Sequence, residues 1–256
     1  MRHTKPQKSI QITDAYGKLV GFRVRGFADK CKEIAEDPTL DGMGFLEKVA
    51  LATEAEDSIR HDRCVEKRNK AARFSNPMAC VEDIIYLPNR TLSKETVARL
   101  SGCEYIRNGH NVIVTSPTGA GKSYLVQALG NAACRRGHKV RYIRHADFCR
   151  DLNVARKAGD YYSHMEEFED SHLLILDDLF LEDSDMTNVT DLLEVITHRA
   201  DAKASIIIAS QLMPEQWHLR IDTKIIADAL LDRLVHNSYT IEIDGPNMRE
   251  YCKSLA

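Results

Sequence analysis

Apolar residues in the second part of the chain form short runs, and each run is followed by a segment of different spacing. The strand-like runs are Asn111–Thr115, Lys139–Ile143, His172–Leu176, Ser205–Ala209 and Tyr239–Ile243. Between them the apolar residues recur with a helical period, as in Lys122–Arg136 and Asn188–Ala200. Such alternation of strand and helix predicts an α/β fold, with a parallel sheet covered by helices on both faces.

The chain before residue 75 has a different pattern. From about Phe27 to Arg73 there is almost no strand character, and apolar residues recur at helical spacing among many charges. Asp37-Pro38 is expected to break this region between two helices, and Asn76-Pro77 to end it. We therefore predict a small helical N-terminal domain, residues 1–75, that contacts a partner or DNA, and an α/β domain, residues 76–256.

The composition excludes several classes of protein. The chain has 256 residues, of which 43% are hydrophobic and 29% charged, and this is typical of one or two globular domains. Its apolar runs are far shorter than the roughly 20 residues that cross a bilayer, and its first residues lack the apolar stretch of a secretory signal. We therefore expect a cytoplasmic protein without a membrane partner. The seven cysteines include no Cys-x-x-Cys pair and are expected to be reduced thiols.

A predicted strand runs into a glycine-containing turn and then a helix at residues 111–123. The sequence NVIVTSPTGAGKS matches the phosphate-binding loop G-x-x-x-x-G-K-[ST], except that Ser116 replaces the first glycine. Backbone N–H groups of such a loop converge on phosphates, Lys122 neutralises the β- and γ-phosphates, and the Ser123 hydroxyl ligates Mg²⁺. The predicted nucleotide-binding residues are Ser116, Pro117, Thr118, Gly119, Ala120, Gly121, Lys122, Ser123 and Tyr124.

Two further predicted strands end in polar residues. The apolar run LLIL (173–176) is followed by Asp177 and Asp178, and carboxylates are costly at the end of a buried strand unless a cation pairs with them. We predict that Asp177 ligates Mg²⁺, directly or through water, and that Asp178 is the base that orients and deprotonates the attacking water. A simple turn-capping role for Asp178 is the alternative.

The next strand ends in Ser210 and Gln211. A role for these residues in the site requires this strand to lie between the strand that leads into the phosphate-binding loop and the strand that ends in the carboxylates. In that position, the Ser210 or the Gln211 side chain reaches the γ-phosphate and the attacking water. We favour Gln211, because its amide both donates and accepts hydrogen bonds. Ordinary turn-forming residues after a strand are the alternative.

Two arginines complete the candidates. Arg233 lies beside the apolar face of a predicted amphipathic helix, Ile225–His236. Its role is either that of an arginine finger, which acts in the ATP site of a neighbouring subunit, or that of a plain surface residue. Arg249 follows the last strand, where it would close over the nucleotide of its own subunit. Spacing alone assigns neither role.

Two basic clusters are candidates for contacts with DNA phosphates. The cationic segment from Ile59 to Phe74 contributes Arg63, Lys67 and Arg68, and the segment after the loop helix contributes Arg135, Arg136 and Lys139. Ordinary solvated surface is the alternative for both clusters, and contact with a partner protein is a further alternative for the first.

Taken together, these motifs resemble the AAA+ ATPases of the IstB type, transposition helper proteins of insertion sequences that are related to DnaC-type replicative helicase loaders. The resemblance runs from about Phe27 to Arg249. Its most specific pieces are the phosphate-binding loop, LLILDDL (173–179), ASQL (209–212) with QWH (216–218), and ADALLDRLVHN (227–237) followed by IEI (241–243) and Met248-Arg249. Ser116 and Pro214, one place later than usual, depart from the family pattern.

The resemblance implies a three-layer αβα AAA+ domain and a role for each matched residue. Lys122 and Ser123 match Walker A, Asp177 and Asp178 match Walker B, and Ser210-Gln211 match sensor 1. Arg233 matches the arginine finger that acts in a neighbouring subunit, and Arg249 matches the sensor 2 arginine.

The implied function is Mg²⁺-dependent hydrolysis of ATP to ADP and phosphate, stimulated by DNA. ATP-bound subunits assemble on duplex DNA in this family, and the oligomer assists a partner transposase. The alternatives are a DnaC-like helicase loader, a P-loop kinase of small molecules, and an ATP-gated binding module with negligible hydrolysis, since Asp178 is shorter than the glutamate of many AAA+ sites.

Overall fold

A computed structural model describes residues 12–182 and 184–254. Residues 1–11, which belong to the segment where we expect no secretory signal, lie outside this description. The chain divides into two compact units, residues 1–66 and 67–256, and the division falls within a long helix.

The first unit is helical. It contains α1 (Ile12–Gly21), α2 (Arg25–Glu36), a 3-10 turn at Pro38–Leu40 and most of α3 (Phe45–Ala72). The predicted break at Asp37-Pro38 is confirmed, because Asp37 ends α2 and its side chain accepts the N–H of Thr39. The cationic segment is the C-terminal part of the 28-residue α3, and α1 has no counterpart in the prediction.

A carboxylate of α3 fixes the start of α2. The Oε2 atom of Glu56 accepts the backbone N–H groups of Gly26 (2.8 Å) and Phe27 (3.3 Å), which have no partner within their own helix. A Cβ on Gly26 would lie 2.5 Å from Cδ1 of Ile59, so the two helices pack closely at this glycine.

The second unit contains a parallel five-stranded sheet in the order β2-β3-β4-β1-β5. Its strands are β1 (Asn111–Thr115), β2 (Val140–Arg144), β3 (Leu173–Asp177), β4 (Ser205–Ser210) and β5 (Ser238–Glu242). The predicted strands agree with these bounds to within one residue at each end.

Helices connect the strands and cover both faces of the sheet. They are α4 (Lys94–Ser101), α5 (Glu104–Arg107), α6 (Lys122–Arg135), α7 (His145–Ala158), α8 (Tyr161–Glu169), α9 (Met186–Asp201), α10 (Lys224–Val235) and α11 (Met248–Ser254), with 3-10 turns at Val81–Asp83 and Pro214–Arg220. None of the helices within the described ranges is long and apolar enough to span a membrane.

Two cores lie on opposite faces of the sheet, because successive side chains of a strand point to opposite sides. Val112 and Val114 of β1 belong to the core that contains α6, whereas Ile113 belongs to the core that contains α9 and Trp217. The predicted three-layer αβα fold is therefore confirmed.

The strand order sets the position of the candidate residues. Parallel pairing aligns Thr115 with Ser210 and Arg144 with Asp177, so the carboxyl ends of β1 to β4 meet at one edge. Strand β4 lies between β1 and β3, which is the arrangement that a γ-phosphate contact after β4 requires.

Candidate nucleotide-binding site

A cleft of about 750 Å³ opens at the carboxyl edge of the sheet. Its volume is within the range of small-molecule and cofactor sites, roughly 300–1,000 Å³. The predicted site residues that line it are Thr118, Gly119, Gly121, Lys122, Ser123, Tyr124, Asp178, Gln211 and Arg249. Residues that are distant in sequence thus converge on one cavity.

The loop after β1 has the backbone that phosphate binding requires. Gly119 (φ 87°) and Gly121 (φ 91°) are in the left-handed region, which glycine adopts without a steric penalty. Ser116 is not among the residues of positive φ in the described part of the chain, so a side chain is tolerated where the motif has its first glycine. The Ser116 N–H donates to the carbonyl of Ser210 (3.2 Å) and joins the loop to β4.

Lys122 and Asp178 face each other across the cleft. The lysine Nζ lies 3.8 Å from Oδ1 of Asp178, and the lysine is buried whereas the aspartate is 29% exposed. Asp178 has a φ of 54°, an unusual value for a residue other than glycine, and such backbone strain clusters at functional sites. The fold thus directs one carboxylate toward the loop lysine.

Ser123 lines the cleft and contacts Asp177, which is buried and does not itself line the cleft. The Ser123 hydroxyl donates to Oδ1 of Asp177 at 3.2 Å, and Asp177 is 1% exposed. Burial and the negative charge of neighbouring Asp178 raise the pKa of Asp177, because both disfavour its ionised form. A cation beside this carboxylate would offset that cost, and hydroxyl and carboxylate oxygens are the ligands that Mg²⁺ prefers. The pair therefore fits a magnesium ion.

The last residue of β4, Ser210, and the residue that follows it, Gln211, point in different directions. The Ser210 hydroxyl is buried; it donates to the carbonyl of Leu179 (2.9 Å) and accepts the N–H of Leu212 (3.1 Å). Gln211 lines the cleft, and its Oε1 accepts a hydrogen bond from the Thr118 hydroxyl at 2.8 Å. Only Gln211 of the two is directed toward the phosphate-binding loop.

The C-terminal helix is attached to the loop. The N–H of Met248 donates to the carbonyl of Gly119 (2.9 Å), and this contact places Arg249 in the lining of the cleft. Arg233 does not line the cleft; it is partly exposed on α10 and its Nη1 donates to the carbonyl of Ala229 (2.9 Å).

The segment that precedes the sheet in sequence forms one wall of the cleft, and no residue of this wall was predicted from the sequence. Arg90 lies in this wall, where Nη2 donates to the carbonyl of Ala120 (2.7 Å) and Nη1 to that of Ile85 (2.8 Å). Asn76, Asp83 and Ile84 line the same wall. No local signal marked these residues, because their position depends on how the segment folds back onto the loop.

The basic residues have different surroundings. Arg135 pairs with Glu82 (3.1 Å), Arg136 donates to the carbonyl of Ser101 (2.7 Å) and Lys139 lies 3.9 Å from Asp170. Nη2 of Arg68 is 3.9 Å from the position that a Cβ on Gly137 would take, so α3 brings this arginine to the turn between Arg136 and Lys139. Arg63 and Lys67 are exposed on α3.

The sheet is parallel, a phosphate-binding loop follows β1, paired carboxylates lie at the end of β3, and an amide follows the intervening β4. This arrangement defines a P-loop NTPase of the AAA+ class. The comparison with protein families specifies the class further. The model of the family "IstB-like ATP binding protein" matches residues 18–256, and the chain belongs to this family.

Relatives from two bacteria resemble the chain over most of its length. A "Putative insertion sequence ATP-binding protein" of Sinorhizobium fredii is 34% identical over 224 residues, which are 88% of this chain and 90% of the relative. An insertion sequence protein of Pseudomonas fluorescens with a similar description is 34% identical over 195 residues, 76% of this chain and 84% of the relative.

Solved structures share the fold. DnaA from Aquifex aeolicus bound to AMPPCP has a TM-score of 0.58 and 24% identity, over 71% of this chain and 55% of the DnaA chain. The DnaC helicase loader has a TM-score of 0.54 and 18% identity, over 65% of this chain and 97% of the loader. At these identities the likeness concerns the fold alone.

Proposed function

We propose that this chain is a cytoplasmic, Mg²⁺-dependent ATPase that assembles on duplex DNA and assists the transposase of an insertion sequence. The observation that carries the proposal is the convergence of Lys122, Ser123, Asp177, Asp178 and Gln211 at one edge of the sheet. Relatives described as insertion sequence ATP-binding proteins support the transposition context. We propose residues 1–75 as the domain for partner or DNA contacts and residues 76–256 as the ATPase domain.

The chain's own residues account for binding and hydrolysis. Backbone N–H groups of residues 118–124, in the loop that begins with Ser116 and Pro117, bind the phosphates together with the positive end of α6, and Lys122 neutralises their charge. Ser123 and Asp177 hold Mg²⁺, which when bound neutralises charge on the β- and γ-phosphates. Ser210 keeps the end of β4 in place through its buried hydrogen bonds, and this leaves Gln211 to orient the attacking water.

Asp178 is the base in this proposal. Its carboxylate is partly exposed and 3.8 Å from Lys122, so it is accessible to a water molecule between the loop and β4. It accepts the proton of that water as the oxygen attacks the γ-phosphorus atom; the bond from this phosphorus to the β–γ bridging oxygen breaks, and ADP leaves. Arg249 stabilises the phosphates from within the subunit.

Arg233 acts in the neighbouring subunit. Arg233 is absent from the lining of its own cleft, and the residue is partly exposed on α10, where a second subunit can approach it. ATP sites shared between subunits make turnover depend on assembly.

Phosphates of duplex DNA are bound by the joined basic surface of Arg68, Arg136 and Lys139, and Lys67 is a further candidate in the same unit. Arg63 is a separate candidate contact in the first unit. Arg135 is the weakest of the predicted contacts, because Glu82 lies within 3.1 Å of its guanidinium.

Sedimentation and ATP turnover with duplex DNA test the proposal. We expect ATP and DNA to drive the wild-type protein into large assemblies that release phosphate, and Lys122→Ala to abolish phosphate release. Monomeric, DNA-independent turnover with a metabolite would favour a kinase instead, and ATP-dependent assembly without phosphate release would favour an ATP-gated binding module. Co-sedimentation with a ring helicase but not with a transposase would favour a helicase loader.

A further inference from the structure

A tyrosine of the neighbouring strand contacts the carboxylate that we assign to Mg²⁺. Tyr142 of β2 pairs in register with Ile175 of β3, and Asp177 lies two residues further along β3. Side chains two residues apart on a strand share a face, so a long tyrosine side chain reaches diagonally to Asp177. The Tyr142 hydroxyl donates to Oδ2 of Asp177 at 2.9 Å.

Because Tyr142 occupies Oδ2, the other carboxylate oxygen, Oδ1, is available for hydrogen bonds with the phosphate-binding loop. Oδ1 of Asp177 accepts the Ser123 hydroxyl (3.2 Å) and the N–H of Asp178 (3.0 Å). The terminal torsion of an aspartate has a broad energy minimum, so its carboxylate rotates unless both oxygens are held. Tyr142, 4% exposed, therefore fixes which oxygen faces Ser123.

A second set of hydrogen bonds supports the backbone of Ser123. Nε2 of Gln127 donates to the Ser123 carbonyl (3.0 Å), and Oε1 of Gln127 accepts the N–H of Asn76 (2.7 Å). The Ser75 hydroxyl lies 3.1 Å from that Oε1 and 3.2 Å from the Tyr142 hydroxyl. Ser75, just after α3, thus touches the supports of both Ser123 and Asp177.

We propose that Tyr142 is a positioning residue for magnesium binding, because its hydroxyl holds the Asp177 carboxylate in the orientation that pairs it with Ser123. This inference rests on the proposed function, in which Ser123 and Asp177 hold Mg²⁺. Groups that orient metal ligands from the outer shell matter for affinity, and their loss typically weakens metal binding about 10- to 100-fold.

Tyr142→Phe tests the proposal, because it removes the hydroxyl and keeps the packed ring. Tyr105→Phe is the matched control: Tyr105 is also buried, and its hydroxyl has no hydrogen-bond partner among the described residues. The measurement is the affinity for a fluorescent ATP analogue, in EDTA and across a Mg²⁺ titration, with circular dichroism to verify folding.

We expect Tyr142→Phe to raise the Mg²⁺ concentration for half-maximal effect about tenfold, with unchanged affinity for the analogue in EDTA. Tyr105→Phe should match the wild-type protein in both. An unchanged Mg²⁺ requirement in folded Tyr142→Phe, or an equal loss of affinity with and without Mg²⁺, would overturn the inference and leave the proposed function intact.

Two further outcomes have a defined interpretation. If wild-type protein does not bind the analogue, or binds it equally with and without Mg²⁺, the proposed magnesium site fails and the inference fails with it. If Tyr142→Phe does not fold, Ser75→Ala replaces it, since Ser75 contacts the Tyr142 hydroxyl. A Mg²⁺ requirement raised about twofold supports the inference, and an unchanged one overturns it.

Discussion

Replacement of Gly119 by alanine probes the contact between the phosphate-binding loop and the C-terminal segment. Gly119 has a φ of 87°, and a Cβ there would lie 2.5 Å from Oδ1 of Asn247. Gly159 has a φ of 86° and no atom within 4 Å of its Cβ position. Gly159→Ala therefore imposes the same backbone strain without the steric contact and is the matched control.

The structure gives the size of the two effects. An alanine in the left-handed region costs about 1 kcal/mol, so Gly159→Ala should lower the free energy of unfolding by about that amount. In Gly119→Ala the Asn247 amide must also turn away, and its hydrogen bond from the N–H of Arg249 (3.0 Å) is lost. That loss adds about 1 kcal/mol, so we expect a total of about 2 kcal/mol for Gly119→Ala.

Urea unfolding measures this difference, because Trp217 is the one tryptophan of the chain and is fully buried, which makes its fluorescence a probe of the second unit. Nucleotide affinity is the second readout. Gly119→Ala displaces the segment that carries Arg249 and should weaken nucleotide binding about tenfold, equivalent to about 1.4 kcal/mol. Equal costs for the two variants, with wild-type nucleotide affinity for both, would refute the reasoning.

Three other predictions concern the shared site, pH and DNA. Lys122→Ala and Arg233→Ala, each inactive alone, should recover about a quarter of wild-type turnover in an equal mixture, because half of the sites keep Lys122 and half of those face an intact Arg233; no recovery contradicts a shared site. Burial lowers the pKa of His145 to about 4, whereas the pKa of a histidine in an unfolded chain is about 6.5. Below about pH 6.5 the unfolded state therefore binds a proton that the folded state excludes. The free energy of unfolding is highest above this pH and falls by about 3 kcal/mol as the pH drops toward 4. His145→Leu should therefore flatten the decline of the melting temperature across this interval, and parallel curves contradict the assignment. Arg68→Ala and Arg136→Ala should each reduce the slope of log affinity for DNA against log salt by about 1. Arg135→Ala should leave this slope unchanged, because the native Arg135 is already paired with Glu82. Equal slopes for all three variants contradict the joined basic surface.

Local sequence was sufficient for the elements whose signal lies within one segment. The strand β1, the loop glycines and the start of α6 are adjacent in sequence, so their hydrophobic pattern and motif predicted the bounds of β1 and the residue at which α6 begins. The carboxylates at the end of β3 were predicted for the same reason. Helix α1 was not predicted, and the length of α3 was not expected, because the polar and charged N-terminal region has a weak apolar pattern.

Side-chain direction after β4 required the tertiary structure. Sequence placed Ser210 and Gln211 together and favoured Gln211 for its amide chemistry. Burial of the Ser210 hydroxyl against Leu179 and Leu212, and the contact of Gln211 with Thr118, follow from the packing of β4 between β1 and β3. Strand order is a long-range property that no single segment encodes.

The sequence by itself determined the class of fold, the phosphate-binding loop and the pair of carboxylates, because each is a contiguous pattern with a local physical cause. Only the tertiary structure decided that Arg90 lines the cleft, that Tyr142 holds Asp177 and that Arg68 lies beside Gly137. These contacts join residues separated by tens of positions. Chain folding alone brings them within hydrogen-bonding or van der Waals distance, and their residue types have no local signature.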